Sequence, residues 1–104
     1  MSEVDVERAR ELVEGGDAQI VDVRTADERA EGTIPGALGI ELGELPERVS
    51  ELDRDRPVVF YCASGGRSQM ASEALNAAGY EAHSVAGGIE AWIDRGFPVD
   101  PSVD

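Results

Sequence analysis

Short apolar runs alternate with helix-like stretches along this chain, and glycines stand at nearly every junction between them. The clearest apolar run is PVVFY at residues 57–61, and shorter runs occupy 20–23 and 80–85. Strands that are separated by helices predict βαβ units, in which the strands pair in parallel and the helices cover the sheet. We therefore predict an α/β fold with a central, mostly parallel sheet and helices on both faces.

The helices are predicted from capping residues and from the spacing of apolar side chains. Asp5 is placed to cap a first helix, and Thr25 with Glu28 forms a capping box for a second helix that stops at Gly32. The remaining helices are predicted over 42–52, 67–78 and 89–95. A chain of 104 residues has room for one unit of this kind, so we expect residues 1–104 to fold as a single domain.

The charge balance limits the partners of this chain. Asp and Glu number 22 against 9 basic residues, all of them Arg, and the formal net charge is −13. Such a surface repels phosphate backbones and anionic lipids, so neither nucleic acid nor a membrane is an expected partner. The same composition predicts a halophilic protein from a salt-rich cytoplasm, because molar salt screens the repulsion among carboxylates. An acidic protein of an ordinary cytosol is the alternative.

Apolar segments and cysteines narrow the class of protein further. No apolar run approaches the ~18 residues of a membrane span and no signal-peptide pattern opens the chain, so we expect a soluble, unexported, cytoplasmic protein. Cys62 and His83 are the single cysteine and the single histidine. A chain with one cysteine and one histidine cannot form an internal disulfide, a CxxC redox pair or a structural zinc site. No metal or organic cofactor is implied. Any covalent chemistry at Cys62 must be completed by another molecule.

The residues that carry chemistry are concentrated in the segment CASGGRS, from Cys62 to Ser68, between a predicted strand and a predicted helix. Ligands of parallel α/β sheets bind at the carboxyl ends of the strands, and Cys62 stands at such an end. Gly65 and Gly66 permit a tight turn whose backbone N–H groups point inward, and the following helix adds its positive N-terminal end. We expect these groups to hold the sulfur as a thiolate, the nucleophilic form.

The other positions of this segment have predicted roles as well. Arg67 adds a fixed positive charge, and Ser68 adds a hydroxyl donor at the start of the helix. A cysteine that ends an apolar strand is often only a small buried side chain. The glycines, the Arg and the helix start that follow Cys62 at this spacing favour the functional interpretation. The N–H groups expected to face the sulfur belong to Ala63, Ser64, Gly65, Gly66 and Arg67.

Four motifs stand in order along the chain. They are DVR at 22–24, GTIPGA at 32–37, CASGGRS at 62–68 and VAGG at 85–88, the last followed by Trp92. Together they resemble the DVR, GHIPGA, CxxGxRS and VxGGxxxW motifs of the single-domain rhodanese-like sulfurtransferases, and the resemblance covers nearly the whole chain. One departure is Thr33, where the family usually has His. That position supports the turn, so the departure affects local packing.

The resemblance implies a rhodanese fold and a sulfurtransferase activity. In such an enzyme, Cys62 takes a sulfane sulfur from thiosulfate or a persulfide and passes it, through a cysteine persulfide, to cyanide or a thiol. Arg67 and Ser68 would attract and orient the anionic donor. Two alternatives stay open: a non-catalytic rhodanese-like binding module, although such modules usually lose the cysteine, and a sulfur-relay protein whose acceptor is another protein, serving tRNA thiolation or cofactor biosynthesis.

The length of the loop bears on the choice of substrate. Relatives that act as phosphatases or arsenate reductases carry five residues between Cys and Arg, whereas four separate Cys62 from Arg67. The shorter loop is expected to suit a single bound sulfur better than a tetrahedral oxyanion. Tyr61 points the same way, because those phosphatases commonly have His at this position.

Asp22 and Arg24 are predicted to support the site. They lie two residues apart on a strand, so their side chains point to the same face of the sheet. We favour an ion pair that fixes the loop beneath the active site over direct binding of substrate. Arg29, on the short helix that follows, is close enough in sequence to reach an anionic donor, but a solvated position is the favoured interpretation.

Overall fold

The computed structural model of the chain describes residues 3–101. Within that range, five strands form one sheet in the order β1-β5-β4-β2-β3, and every strand pair is parallel. The predicted α/β class is therefore confirmed. The sequence did not predict β1, because two residues are too few to form an apolar run. The strands are β1 Glu3–Val4, β2 Gln19–Asp22, β3 Leu38–Gly39, β4 Val58–Tyr61 and β5 Ala82–Val85.

Five α-helices connect or follow these strands within the described residues. The longest, α4, has 12 residues, and none of the helices in residues 3–101 is long and apolar enough to cross a membrane. The predicted caps are present: the Asp5 carboxylate accepts the Arg8 N–H at 2.8 Å, and Thr25 with Glu28 forms the capping box of α2. The helices are α1 Val6–Gly15, α2 Ala26–Arg29, α3 Leu45–Arg48, α4 Gly66–Ala77 and α5 Gly88–Asp94.

Two of the predicted helices are shorter than expected. The second ends at Arg29 instead of reaching Gly32. The helix predicted over 42–52 is divided into α3 and two flanking 3₁₀ turns, Leu42–Glu44 and Val49–Glu51. Pro46 explains the first division, because it lacks a backbone N–H and is tolerated only in the first turn of an α-helix.

Residues of the central strand β4 alternate between two apolar cores. Val58 and Phe60 pack with side chains of α3 and α4, whereas Val59 and Tyr61 pack with side chains of α1 and α5. All four residues are buried, as expected for a strand with a layer of helices on each face. The prediction of helices on both faces is therefore confirmed. Because side chains alternate along a strand, Cys62 continues on the α4 side with Val58 and Phe60.

The carboxyl edge of the sheet brings three connections together. The segments after β2, β4 and β5 all leave the sheet at this edge, since the three strands are parallel neighbours. The Val23 N–H donates to the Tyr61 carbonyl at 3.0 Å, and the Ala86 N–H donates to the Val4 carbonyl at 2.7 Å. This edge positions the segment that begins with Cys62 in the middle of the sheet, with a connection on either side.

Candidate active site

Cys62 lies at the carboxyl end of β4, at the start of the loop that leads into α4. Its side chain is almost completely buried, and the whole residue is 1% exposed. The loop is short because α4 already begins at Gly66. Gly65 stands at the helix N-cap with a φ of 122°, a backbone conformation that favours glycine. The chain turns sharply enough there to bring backbone N–H groups back toward the cysteine sulfur.

The Cys62 sulfur is held by donors from the loop and the first turn of α4. The Gly65 N–H donates to Sγ at 3.1 Å and the Ser68 N–H at 3.5 Å, and Ser68 Oγ lies 3.6 Å from Sγ. Burial by itself raises the pKa of the Cys62 thiol. The Ser68 backbone and hydroxyl, together with the Gly65 and Arg67 amides, outweigh burial and lower that pKa below its usual value. The site therefore favours the thiolate.

Two buried hydroxyl groups lie behind the sulfur. Ser68 Oγ and Ser84 Oγ are 2.7 Å apart, and the Ser68 hydroxyl also reaches the Gly65 carbonyl at 3.1 Å. Ser68 and Ser84 are both fully buried. A buried hydroxyl needs a partner, so Ser84 on β5 fixes the position of Ser68 beside Cys62. Sequence analysis did not single out Ser84, because an isolated serine in a strand carries no local signal.

The start of α5 holds the other side of the loop. The Ile89 N–H donates to the Cys62 carbonyl at 2.9 Å, and the Glu90 N–H donates to the Ala63 carbonyl at 3.2 Å. Gly88 permits this contact, because a Cβ there would lie 2.4 Å from the Cys62 carbonyl oxygen. The two residues that follow the VAGG motif thus supply backbone donors that bind the Cys62 and Ala63 carbonyl groups.

Arg67 does not point freely into solvent. Its Nη1 and Nη2 donate to Glu28 Oε1 at 2.7 Å and to Oε2 at 2.9 Å, a bidentate ion pair between α4 and α2. Hydrogen bonding from Arg67 lowers the pKa of Glu28 to about 2, and the same bond raises the pKa of Arg67. Sequence analysis identified Glu28 as a capping residue of α2 and missed its contact with Arg67, 39 residues along the chain.

Residues 5–95 match the family described as the rhodanese-like domain. This chain belongs to the rhodanese-like domain family. A sulfurtransferase of Allochromatium vinosum is 41% identical over 101 residues, which are 95% of this chain and 94% of that protein. A thiosulfate sulfurtransferase GlpE of Coxiella burnetii is 38% identical over 85 residues, which are 81% of this chain and 79% of that protein.

A solved structure shows the same fold. The crystal structure of a rhodanese-related protein from Thermoplasma volcanium matches this rhodanese-like chain with a TM-score of 0.88 at 32% identity, covering 95% of this chain and 97% of that one. The predicted rhodanese fold and family are therefore confirmed. The relatives also support sulfurtransferase activity in general, which implies a sulfur donor and a sulfur acceptor.

The two glycines of the rhodanese-like loop differ in what they contribute. Gly65 needs its positive φ, and a Cβ there would still lie 3.5 Å from the nearest backbone atom of another segment. Gly66 has no positive φ, and a Cβ would meet nothing within 4 Å. Sequence analysis expected both glycines to permit the turn. The conformation that only glycine adopts readily is limited to Gly65.

Asp22 and Arg24 form a buried ion pair on the α1 and α5 side of the sheet, opposite Cys62. Arg24 Nη2 donates to Asp22 Oδ2 at 2.8 Å and to the Gly32 carbonyl at 2.6 Å. Burial lowers the pKa of Arg24. The hydrogen bonds to Asp22 and the negative charge of Asp22 outweigh burial and raise that pKa above its usual value. The Ile34 N–H donates to the Tyr61 hydroxyl at 3.0 Å. These contacts tie the GTIPGA turn to β2 and β4.

A groove lies beside the loop. Its volume is about 310 Å³, and Ala63, the residue after Cys62, lies on its wall. Ser64, by contrast, is exposed. The groove is lined by apolar side chains and by carboxylates. The apolar residues include Ile89, Ile93 and Val99, and the carboxylates belong to Glu28, Glu31 and Glu90.

Proposed function

We propose that this protein carries sulfane sulfur on Cys62 and transfers it from thiosulfate or a persulfide to cyanide or a thiol. The observation that carries this proposal is the set of polar groups around Sγ: the Gly65 and Ser68 N–H groups, which donate at 3.1 and 3.5 Å, and the Ser68 hydroxyl, whose oxygen lies 3.6 Å away. These donors lower the pKa of Cys62 and so favour the thiolate, which is the nucleophilic form of cysteine. Once the outer sulfur is bound, the same N–H groups stabilise the charge of the persulfide.

The transfer takes place in two displacement steps. In the first step, the Cys62 thiolate attacks the outer sulfur of the donor and forms a new S–S bond. The S–S bond of the donor breaks, and its electron pair leaves on sulfite when the donor is thiosulfate. In the second step, cyanide or a thiolate attacks the terminal sulfur of the persulfide, and the Cys62 thiolate leaves. One nucleophile serves both steps, as in other covalent double-displacement mechanisms.

The residues around Cys62 have separate proposed roles. The backbone of Ala63, Ser64, Gly65 and Gly66 shapes the turn around Sγ, which we call the cradle. Arg67 and Ser68 orient the donor. Asp22 and Arg24 hold the GTIPGA turn against the sheet and do not touch the substrate. No metal or organic cofactor takes part. We also propose a single domain over residues 1–104 and a cytoplasmic location.

The experiment that tests this proposal is intact-mass measurement after incubation with thiosulfate. A persulfide on Cys62 should raise the mass by one sulfur, about 32 Da, and added cyanide should remove it. Cys62→Ser is the control, since the chain has no second cysteine to replace it. Transfer of sulfur to cyanide by the Cys62→Ser protein would disprove the proposed role of Cys62.

A second candidate is a sulfur relay to an acceptor protein, as in tRNA thiolation or cofactor biosynthesis. The groove beside Ala63 favours it, because Ile93 in its wall is 53% exposed and offers an apolar contact larger than a small thiol needs. A non-catalytic binding module is disfavoured by the intact set of donors around Cys62. Pull-down with the persulfide form, followed by identification of the protein that removes the sulfur, distinguishes the relay from a small-molecule enzyme.

A further inference from the structure

The loop from Cys62 to Ser68 contains one cationic side chain, Arg67, and this side chain forms an ion pair with Glu28. The bidentate geometry, with N–O distances of 2.7 and 2.9 Å, uses both terminal nitrogens of the guanidinium. Two parallel hydrogen bonds between opposite charges are among the stronger polar contacts at a protein surface. A sulfonate or thiosulfate group that approaches Cys62 therefore competes with a carboxylate for the one positive charge of the loop.

Glu28 is itself fixed in place by a second set of contacts. Its Oε1 accepts the Thr25 N–H at 3.0 Å and lies 3.2 Å from the Thr25 hydroxyl oxygen, within the capping box of α2. Releasing Arg67 by moving the carboxylate away would break these bonds as well. Hydrogen bonds from Arg67 and Thr25 lower the pKa of Glu28 to about 2, so its carboxylate is negatively charged at neutral pH.

The other guanidinium groups near the site do not replace Arg67. Arg24 is buried and bound to Asp22, and Arg29 donates to the Arg24 carbonyl while its side chain packs against Gly39. The groove beside Ala63 adds the carboxylates of Glu28, Glu31 and Glu90. A doubly charged anion beside the loop thus meets guanidiniums that already donate to other groups, together with three carboxylates.

We infer that Glu28 is a specificity-determining residue that disfavours the thiosulfate dianion and directs Cys62 toward singly charged sulfane-sulfur donors, namely thiosulfonates and organic persulfides. The inference rests on the proposed function of Cys62. Specificity is a difference between two binding free energies, so a residue that penalises the more highly charged donor selects the other. Glu28 acts on the donor through Arg67 and takes no part in the bond changes.

The test compares two donors that differ by one charge. Thiosulfate and methanethiosulfonate both offer a sulfane sulfur on a sulfonyl centre, and attack by Cys62 releases sulfite from one and methanesulfinate from the other. The second-order rate constant for persulfide formation is measured by intact mass for each donor. Glu28→Gln keeps the capping box, which accepts Gln at this position, but removes the charge that holds Arg67. Asp27→Asn, one residue earlier with an exposed side chain, is the matched control for the same change in net charge.

Glu28→Gln should raise the thiosulfate rate constant relative to the methanethiosulfonate rate constant by about two- to fivefold, the factor that a half-buried surface ion pair represents. Asp27→Asn should leave that ratio within the error of the wild type. Adding Arg67→Gln to Glu28→Gln should cancel the gain. Glu28→Asp, whose carboxylate is one methylene shorter, should move the ratio in the same direction and serves if Glu28→Gln does not fold.

The outcomes separate this inference from the function on which it rests. If the wild-type protein takes sulfur from neither donor, the proposed role of Cys62 fails, and the inference fails with it. If it takes sulfur from both and Glu28→Gln lowers the thiosulfate ratio or only matches Asp27→Asn, then Glu28 merely positions Arg67 and the inference alone is overturned.

Discussion

Replacement of Gly88 by Ala should damage both the stability and the reactivity of this protein. Gly88 begins α5 with a φ of 60°, in the left-handed region. A Cβ at this position would lie 2.4 Å from the Cys62 carbonyl oxygen and 2.5 Å from the Ala63 carbonyl oxygen. The Ile89 and Glu90 N–H groups hold these same oxygens, so the loop and the helix cannot separate without losing hydrogen bonds.

The expected loss of stability has two parts. Alanine in the left-handed region costs roughly 1–2 kcal/mol. Overpacking against backbone costs about 1–3 kcal/mol more. Gly88→Ala should therefore lower the free energy of unfolding by about 2–5 kcal/mol. Gly16→Ala isolates the first part, because Gly16 has a φ of 82° and its Cβ would meet nothing within 4 Å.

Urea denaturation of the three proteins measures the free energies of unfolding, and alkylation by iodoacetamide measures the reactivity of Cys62. Gly88→Ala should lose more stability than Gly16→Ala and should alkylate at a different rate, because displaced carbonyls move the loop that holds Sγ. Gly16→Ala should alkylate like the wild type. Equal losses of stability in the two variants would show that the contact between α5 and the loop yields easily, and the reasoning from steric overlap would be refuted.

Three further predictions concern the sulfur, the loop and salt. Because hydrogen bonds from Ser68, Gly65 and Arg67 lower the pKa of Cys62, alkylation should reach half its maximal rate at a lower pH than in the urea-unfolded chain, and Ser68→Ala should shift that midpoint upward; an unchanged midpoint in Ser68→Ala would show that the hydroxyl does not lower the pKa. Phosphate esters should be poor substrates, and inserting one residue between Gly66 and Arg67 should favour them at the expense of sulfur transfer; efficient hydrolysis by the unmodified protein would contradict the argument from loop length. The melting temperature and the rate with thiosulfate should both rise from low to molar chloride; a flat or falling melting temperature would refute the halophilic interpretation.

Local patterns in the sequence were enough to predict most of the architecture. β4 was predicted nearly to the residue, because PVVFY is apolar throughout and central parallel strands are buried on both faces. The caps at Asp5 and Thr25 were predicted because they depend on contacts within one turn. Cys62 and its loop could be recognised for the same reason, since the glycines, Arg67 and the helix start are contiguous.

The parts of the site that sequence analysis missed all depend on the order of the strands. Glu28 meets Arg67 because β2 lies beside β4, which brings the start of α2 next to the start of α4. Ser84 reaches Ser68 because β5 lies on the other side of β4. A single sequence does not state which strands are neighbours, so neither pair had a local signal. The role of Gly88 against the loop depends on the same arrangement.

The cradle and the net charge act on Cys62 over different distances, and this reconciles a stabilised thiolate with a protein of net charge −13. The Gly65 and Ser68 N–H groups contact Sγ at 3.1 and 3.5 Å and carry no net charge, so dissolved ions screen them little. The carboxylates act through solvent, and their repulsion weakens as the Debye length falls to about 3 Å in 1 M salt. A cradle built from backbone dipoles can therefore stabilise a thiolate in an acidic protein, whereas the approach of an anionic donor stays sensitive to salt. This division also explains why Glu28 can influence the choice of donor through Arg67 without being one of the groups that contact Sγ and lower the pKa of Cys62.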